Sequence, residues 1–258
     1  MNRSSCYAAE ALRSTTVSSR HIGCAWSAIT VSAATGIPTG RSSETRRPAT
    51  HLDASFDGSR PGKPVSRYAE WCARLVSEQA RSSEDFVKHF RAKYADQLPV
   101  WVATEILDFG GLSVLYSGLK RADRDEIAAD LTIHDSTGAG NGRALANWMQ
   151  VLNYIRNICA HHSRLWNRNL TVQLAPKHLT AIRKLVHLRA SSPSTTARLF
   201  SALCVLDYLM TSIDPAHTWT GAVCELITDR VPACVRSVGE MGFPTEWSTL
   251  LFGRIAND

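Results

Sequence analysis

Residues Arg143–Trp166 read RALANWMQVLNYIRNICAHHSRLW and carry the strongest helical periodicity of the chain. Apolar residues recur there at intervals of three and four, the spacing that gathers side chains on one side of a helix. The preceding DSTGAGNG, Asp135–Gly142, has the composition of a loop and marks where the helix begins. At about 100° per residue, Leu152, Ile155, Cys159, His162 and Trp166 share one face. Asn153, Asn157, His161, Arg164 and Arg168 then form a polar ladder on another. His162 is thus expected to turn toward the core and hydrogen-bond a neighbour, because buried polar groups need partners. His161 is expected on the ladder.

On either side of this helix the pattern stays helical. Tyr68, Cys72 and Leu75 are spaced for a first helix, and Ser82-Ser83-Glu84-Asp85 is a capping signal for a second over Ser83–Tyr94. Pro99 opens a third, PVWVATEILDFG, with Val102, Ile106 and Phe109 on one side; Gly110-Gly111 is expected to break it before the short LSVLYSGL element. Asp123–Leu131 gives another helix. Beyond Asn169 the pattern predicts helices over Leu179–Arg189 and Thr196–Ile213, the latter with Leu199, Leu203, Leu206 and Met210 as its buried stripe. Residues 214–258 look irregular, with short helices and Pro/Gly stops. No alternation of period two appears after residue 65, so the predicted class is all-α.

Residues 1–65 differ from the rest: rich in Ser, Thr and Arg, with four acidic residues, they show no sustained period. They are expected to be a poorly structured N-terminal segment, disordered or not native to the domain, with a transit-like leader as the functional alternative. Residues 66–258 are expected to hold the helical domain.

Charge decides what kind of partner the central helix suits. The run from Ser136 to Leu206 holds nine Lys/Arg and no Asp or Glu, so its positive field is not neutralised locally. With a net charge of +6 overall, this points to an anion, and to nucleic acid in particular. Seven widely spaced cysteines without a CxxC pair argue against a disulfide framework or a thiolate zinc site and fit a reducing cytoplasm. No stretch approaches the roughly 18 apolar residues of a membrane span. No secretory leader is apparent, and the chain is expected to be cytoplasmic, with no membrane partner.

Within NYIRNICAHHSRLWNR, Asn153–Arg168, the imidazole of His161 can exchange a proton near neutral pH, and the guanidinium of Arg156 can neutralise phosphate oxygens. Together they supply the parts for phosphodiester cleavage without metal, attack coming from a ribose 2′-hydroxyl. Arg156 sits at about 140° from His161 around the helix, so the two meet at one phosphate only where the helix lines a cleft, such as one completed by a second subunit. A metal site is not expected, since adjacent histidines diverge by a helical step and no carboxylate lies nearby in sequence. The Arg-x4-His spacing is weak by itself, recurring at Arg46 and His51. A solvated basic helix face and a phosphate-binding site without catalysis remain open readings of the same residues.

RNICAHHSRLWNR at Arg156–Arg168 resembles the signature of the Abi-like family of bacterial abortive-infection proteins, related to AbiD and AbiF, within the HEPN superfamily. PVWVATEILDFGGLSVLY at Pro99–Tyr116 and MGFPTEW at Met241–Trp247 are similar to two further segments of that family, so the resemblance covers about Val65–Trp247. It implies a HEPN-type helical bundle and metal-independent RNA cleavage in phage defence, without a cofactor. Arg156 and His161 would be the catalytic pair and Asn157 would orient the histidine or the phosphate. Asn153, His162, Arg164 and Arg168 would contact RNA. A homodimer is implied, and an antitoxin or a phage-derived trigger is a possible further partner. Family members usually begin with a helical, aromatic-containing portion, which residues 1–65 do not show.

Overall fold

The structure, a computed structural model, describes residues 52–56, 58, 62, 65–94, 98, 100–179, 182–190, 196–231 and 237–252. The possible leader and the second Arg-x4-His pair lie outside these residues. Ten α-helices form among the described residues and no strand does, so the chain is all-α. It divides into two compact units between Ile127 and Ala128.

In the unit before that boundary, α1 (Arg67–Arg81) starts where the Ser66 side chain accepts from the Ala69 amide at 3.1 Å. Its apolar side buries Trp71 and Leu75 beside Phe56, Leu98, Val102, Ala103 and Leu115. Helix α2 (Asp85–Tyr94) begins inside the expected capping segment, and α3 (Val100–Ile106) follows Pro99. The break after α3 falls at Leu107–Asp108, earlier than the glycine pair. Asp108 caps α4 (Phe109–Gly118) by accepting from the Gly111 amide at 2.7 Å, so Gly110 and Gly111 lie within the next helix and Phe109 belongs to it. A Cβ on Gly111 would stand 2.9 Å from the end of the Leu107 side chain, which would have to shift, and the Trp71 indole donates to the Gly111 carbonyl at 3.1 Å. Helix α5 (Arg121–Asp130) runs close to its expected span.

Residues before 66 are not all without structure. Phe56 is 1% exposed in this core, and the Asp53 amide donates to the Gly118 carbonyl at 2.9 Å. The segment's composition hid one aromatic anchor.

The second unit is built on α6 (Gly142–Ala160) packed against α8 (Leu199–Ile213), with Trp148 and Tyr208 edge to face at 5.9 Å. Between them the expected helix Leu179–Arg189 gives a single 3-10 turn, Arg183–Leu185, and the short α7 (Val186–Ala190), with another 3-10 turn, Pro176–His178, just ahead of it. Leu179, Leu185 and Leu188 are buried all the same. The buried side of α8 differs from the expected stripe: Phe200, Ser201, Cys204, Val205, Asp207 and Leu209 are buried, whereas Leu199, Leu203, Leu206 and Met210 are half-buried. Polar residues turn inward because each has a partner. Lys184 and Thr220 both bind the Asp207 carboxylate, and Ser201 donates to the Arg198 carbonyl at 2.9 Å. The region read as irregular contains α9 (Trp219–Arg230), twelve residues long, and α10 (Trp247–Phe252).

Candidate nucleic-acid site

Helix α6 begins where the loop after α5 is pinned. The Asp135 carboxylate accepts from the Thr137 amide at 2.8 Å, and the Asn141 amide donates to the Ile133 carbonyl at 2.8 Å. The Asn141 side chain then caps the helix by accepting from the Ala144 amide at 3.1 Å. Burial is concentrated in the first half, at Ala144, Leu145, Trp148, Met149 and Val151, and Ile158 is the last buried residue. The C-terminal end is therefore less buried than the beginning, with Arg156, Cys159 and Ala160 exposed.

The helix stops at Ala160, not at Trp166. His161 is the C-cap and His162 turns left-handed at φ 52°. The His162 amide donates to the Cys159 carbonyl at 3.1 Å and the Ser163 amide to the Ile158 carbonyl at 3.0 Å. This pair of bonds is the Schellman pattern that closes a helix end, with histidine where glycine is usual. Two expectations fall with it. The polar ladder and apolar stripe cannot continue past residue 161, and His162 is exposed, not a core histidine.

Beyond this turn the chain enters a loop held by side chains distant in sequence. The Trp166 indole donates to the Glu240 carboxylate at 2.7 Å, and Arg198 donates to the Asn167 side chain at 2.6 Å and the Glu240 carbonyl at 3.0 Å. The Leu170 amide donates to the Ala197 carbonyl at 2.8 Å. Glu240 closes a 3-10 turn, Val238–Met241, whose neighbour Phe243 is buried on Phe200 at 4.9 Å between ring centres. Glu240 and Arg198 brace the site without carrying its chemistry, and no local sequence signal identifies them.

Arg156, His161, His162 and Arg164 are exposed; Asn153, Asn157 and Arg168 are partly so. Arg156 donates to the Asn157 side-chain oxygen at 3.0 Å. Asn157 lies about 40° from His161 around the helix, so this bond draws the guanidinium toward the histidine's side. Among the described residues no ion pair engages Arg156, Arg164 or Arg168, leaving their charge available to a ligand. Arg168 also donates to the Arg164 carbonyl at 3.4 Å. Tyr154, absent from the expected site, lies beside the Thr171 hydroxyl and the Arg168 guanidinium, which hold its phenol below the usual value of 10. Its place three residues before Asn157 and seven before His161 was the available signal. Among the described residues, no three His, Cys, Asp or Glu side chains stand close enough to hold a metal ion.

Comparison with known proteins places this geometry in a family context. A family model described as "Abi-like protein" matches residues 38–167, from within the N-terminal segment to the end of the RNICAHHSRLWN element. No curated protein and no solved structure matches the chain.

Proposed function

The chain belongs to the Abi-like protein family, and on that premise we propose that it is a metal-independent endoribonuclease of HEPN type, acting in abortive infection as a defence against phage. The observation that carries the reading is the bond from Arg156 to Asn157, which brings a guanidinium toward the side of the helix end where His161 stands exposed.

In this mechanism His161 takes the proton of a ribose 2′-hydroxyl as the 2′-oxygen bonds to phosphorus, and the bond to the 5′-oxygen breaks. Arg156 neutralises the charge that builds on the non-bridging oxygens, and Asn157 holds Arg156 in place. The leaving 5′-oxygen takes a proton from water, giving a 2′,3′-cyclic phosphate and a 5′-hydroxyl, and His161 later returns its own proton to solvent. Asn153, His162, Arg164 and Arg168 hold the flanking backbone. A second copy of the chain would face this helix end with its own Arg156 and His161, the role a homodimer serves in this reading. An antitoxin or phage-derived trigger would act on the same exposed end.

The test is cleavage of a labelled RNA with a chelator present. Wild type is expected to cut, and His161→Ala and Arg156→Ala each to lose at least about a hundredfold, the usual scale of general acid–base catalysis. Cutting that requires metal, or that survives both substitutions, removes the mechanism.

One observation favours a second reading, a non-catalytic RNA-binding module. Among the described residues no hydrogen bond fixes the His161 imidazole, whereas catalytic bases are usually oriented by a third group. Steep salt-dependent RNA binding without product, unaffected by His161→Ala, is its signature.

A further inference from the structure

Arg143, Asn147, Gln150, Tyr154, Asn157 and His161 follow one another along α6 at intervals of four, three, four, three and four. At the helical angle per residue they stay within about 40° of a single line, for roughly 26 Å of helix. The first and last are cationic or can become so, and all six are polar. A second wall runs beside this line in the opposite direction. Tyr154 lies against Thr171 and Arg168. Further along, the Asn147 side chain donates to the Gln173 carbonyl at 3.0 Å and accepts from the Ala175 amide at 2.9 Å. At the far end His178 lies close enough to Arg143 and Lys177 for their charge to help lower its pKa, after the effect of burial.

Helix and returning segment thus form a strip whose walls both come from the acid-free run Ser136–Leu206. It has the histidine end at one extremity and the pair Arg143 and Lys177, beside His178, at the other. Tyr154 near the middle offers a ring against which a base can stack.

We propose that this strip is a track for single-stranded RNA, with Arg143 and Lys177 holding backbone phosphate several nucleotides away from the linkage at His161. The inference rests on the RNA reading of the His161 end and extends it. Substrate is gripped well away from the chemistry, so chain length governs affinity.

The test uses the full chain and 2′-O-methyl oligouridines, which lack the attacking hydroxyl, in fluorescence anisotropy across a salt series. Wild type is expected to bind the octamer more tightly than the dimer, and more tightly than a 2′-O-methyl duplex. Arg143→Ala/Lys177→Ala is expected to lose about tenfold on the octamer and to lower the log–log salt slope by about 1.4, two phosphate contacts' worth. Lys177→Ala alone takes about half that slope, and Arg121→Ala in the other unit leaves it unchanged. An octamer that binds no better than a dimer, or a double variant that melts like wild type and keeps its affinity and slope, overturns the track. A duplex bound as tightly as the single strand overturns it as well. Cleavage with length-independent binding removes the track and spares the nuclease; length-dependent binding without cleavage does the reverse.

Discussion

His162 stands at φ 52° in the turn that ends α6, a conformation that costs a side chain with a Cβ about 1 kcal/mol. We expect His162→Gly to raise stability to chemical denaturation by up to about 1 kcal/mol, less the extra freedom glycine gives the unfolded chain. A loss of stability would mean that the exposed imidazole holds a contact the turn needs. His178 has the opposite sensitivity. Burial first, then Lys177 and Arg143, lowers its pKa from the ordinary 6.5, so the folded state binds this proton less readily than the unfolded chain. The stability it contributes is complete above about 6.5 and is lost as pH falls through the lower folded value. In a pH series, His178→Gln is expected to flatten that decline; an unchanged slope would trace the loss to another group. Arg156 and His161 could be singled out from residue chemistry, because charge and proton affinity belong to the side chain, whereas the orienting role of Asn157 came only with the family resemblance. The surroundings of His162 could not, since they depend on a helix ending without glycine or proline to announce it.

Among the elements, α4 shows how one missing atom can set a contact. A Cβ on Gly118 would stand 2.5 Å from the Phe56 ring, which is buried among α1, α3 and α4 and has the Arg67 guanidinium 5.5 Å from its centre. Gly118→Ala is therefore expected to cost about 1–3 kcal/mol, the range for overpacking a core, measured by thermal or urea unfolding. A neutral result would show that residues 52–56 can leave the core at little cost. The starts of α2, α3 and α6 were legible from local signals: the Ser82–Asp85 capping segment, Pro99 with its fixed φ, and the loop composition of Asp135–Gly142. The end of α3 was not, since the stop came from Asp108 serving the next helix, where Gly111, which looked like a breaker, lies against Leu107 and accepts from the Trp71 indole. The face of α8 was misread for a tertiary reason. Asp207 looks like a surface residue until Lys184 and Thr220, neither a predictable neighbour, supply its bonds, while Ser201 turns onto the Arg198 carbonyl three residues back.

For the whole molecule, helical class was readable because period and charge run unbroken through most of the chain, and the long acid-free stretch is a property of composition. The arrangement around the candidate site was not, because its support arrives from residues more than 70 positions away: the Trp166–Glu240 bond joins the end of the family match to a turn well outside it. A shortened protein cut soon after Arg168 would keep the candidate side chains of the His161 end but lose Lys177 of the proposed track, the Glu240 carboxylate, the buried phenylalanine near it and the Arg198 guanidinium that joins Glu240 to Asn167. Minimal versions made for crystallisation or toxicity assays should therefore extend through Trp247, and silence from a shorter one would speak of a slack loop, with the active groups themselves left untried.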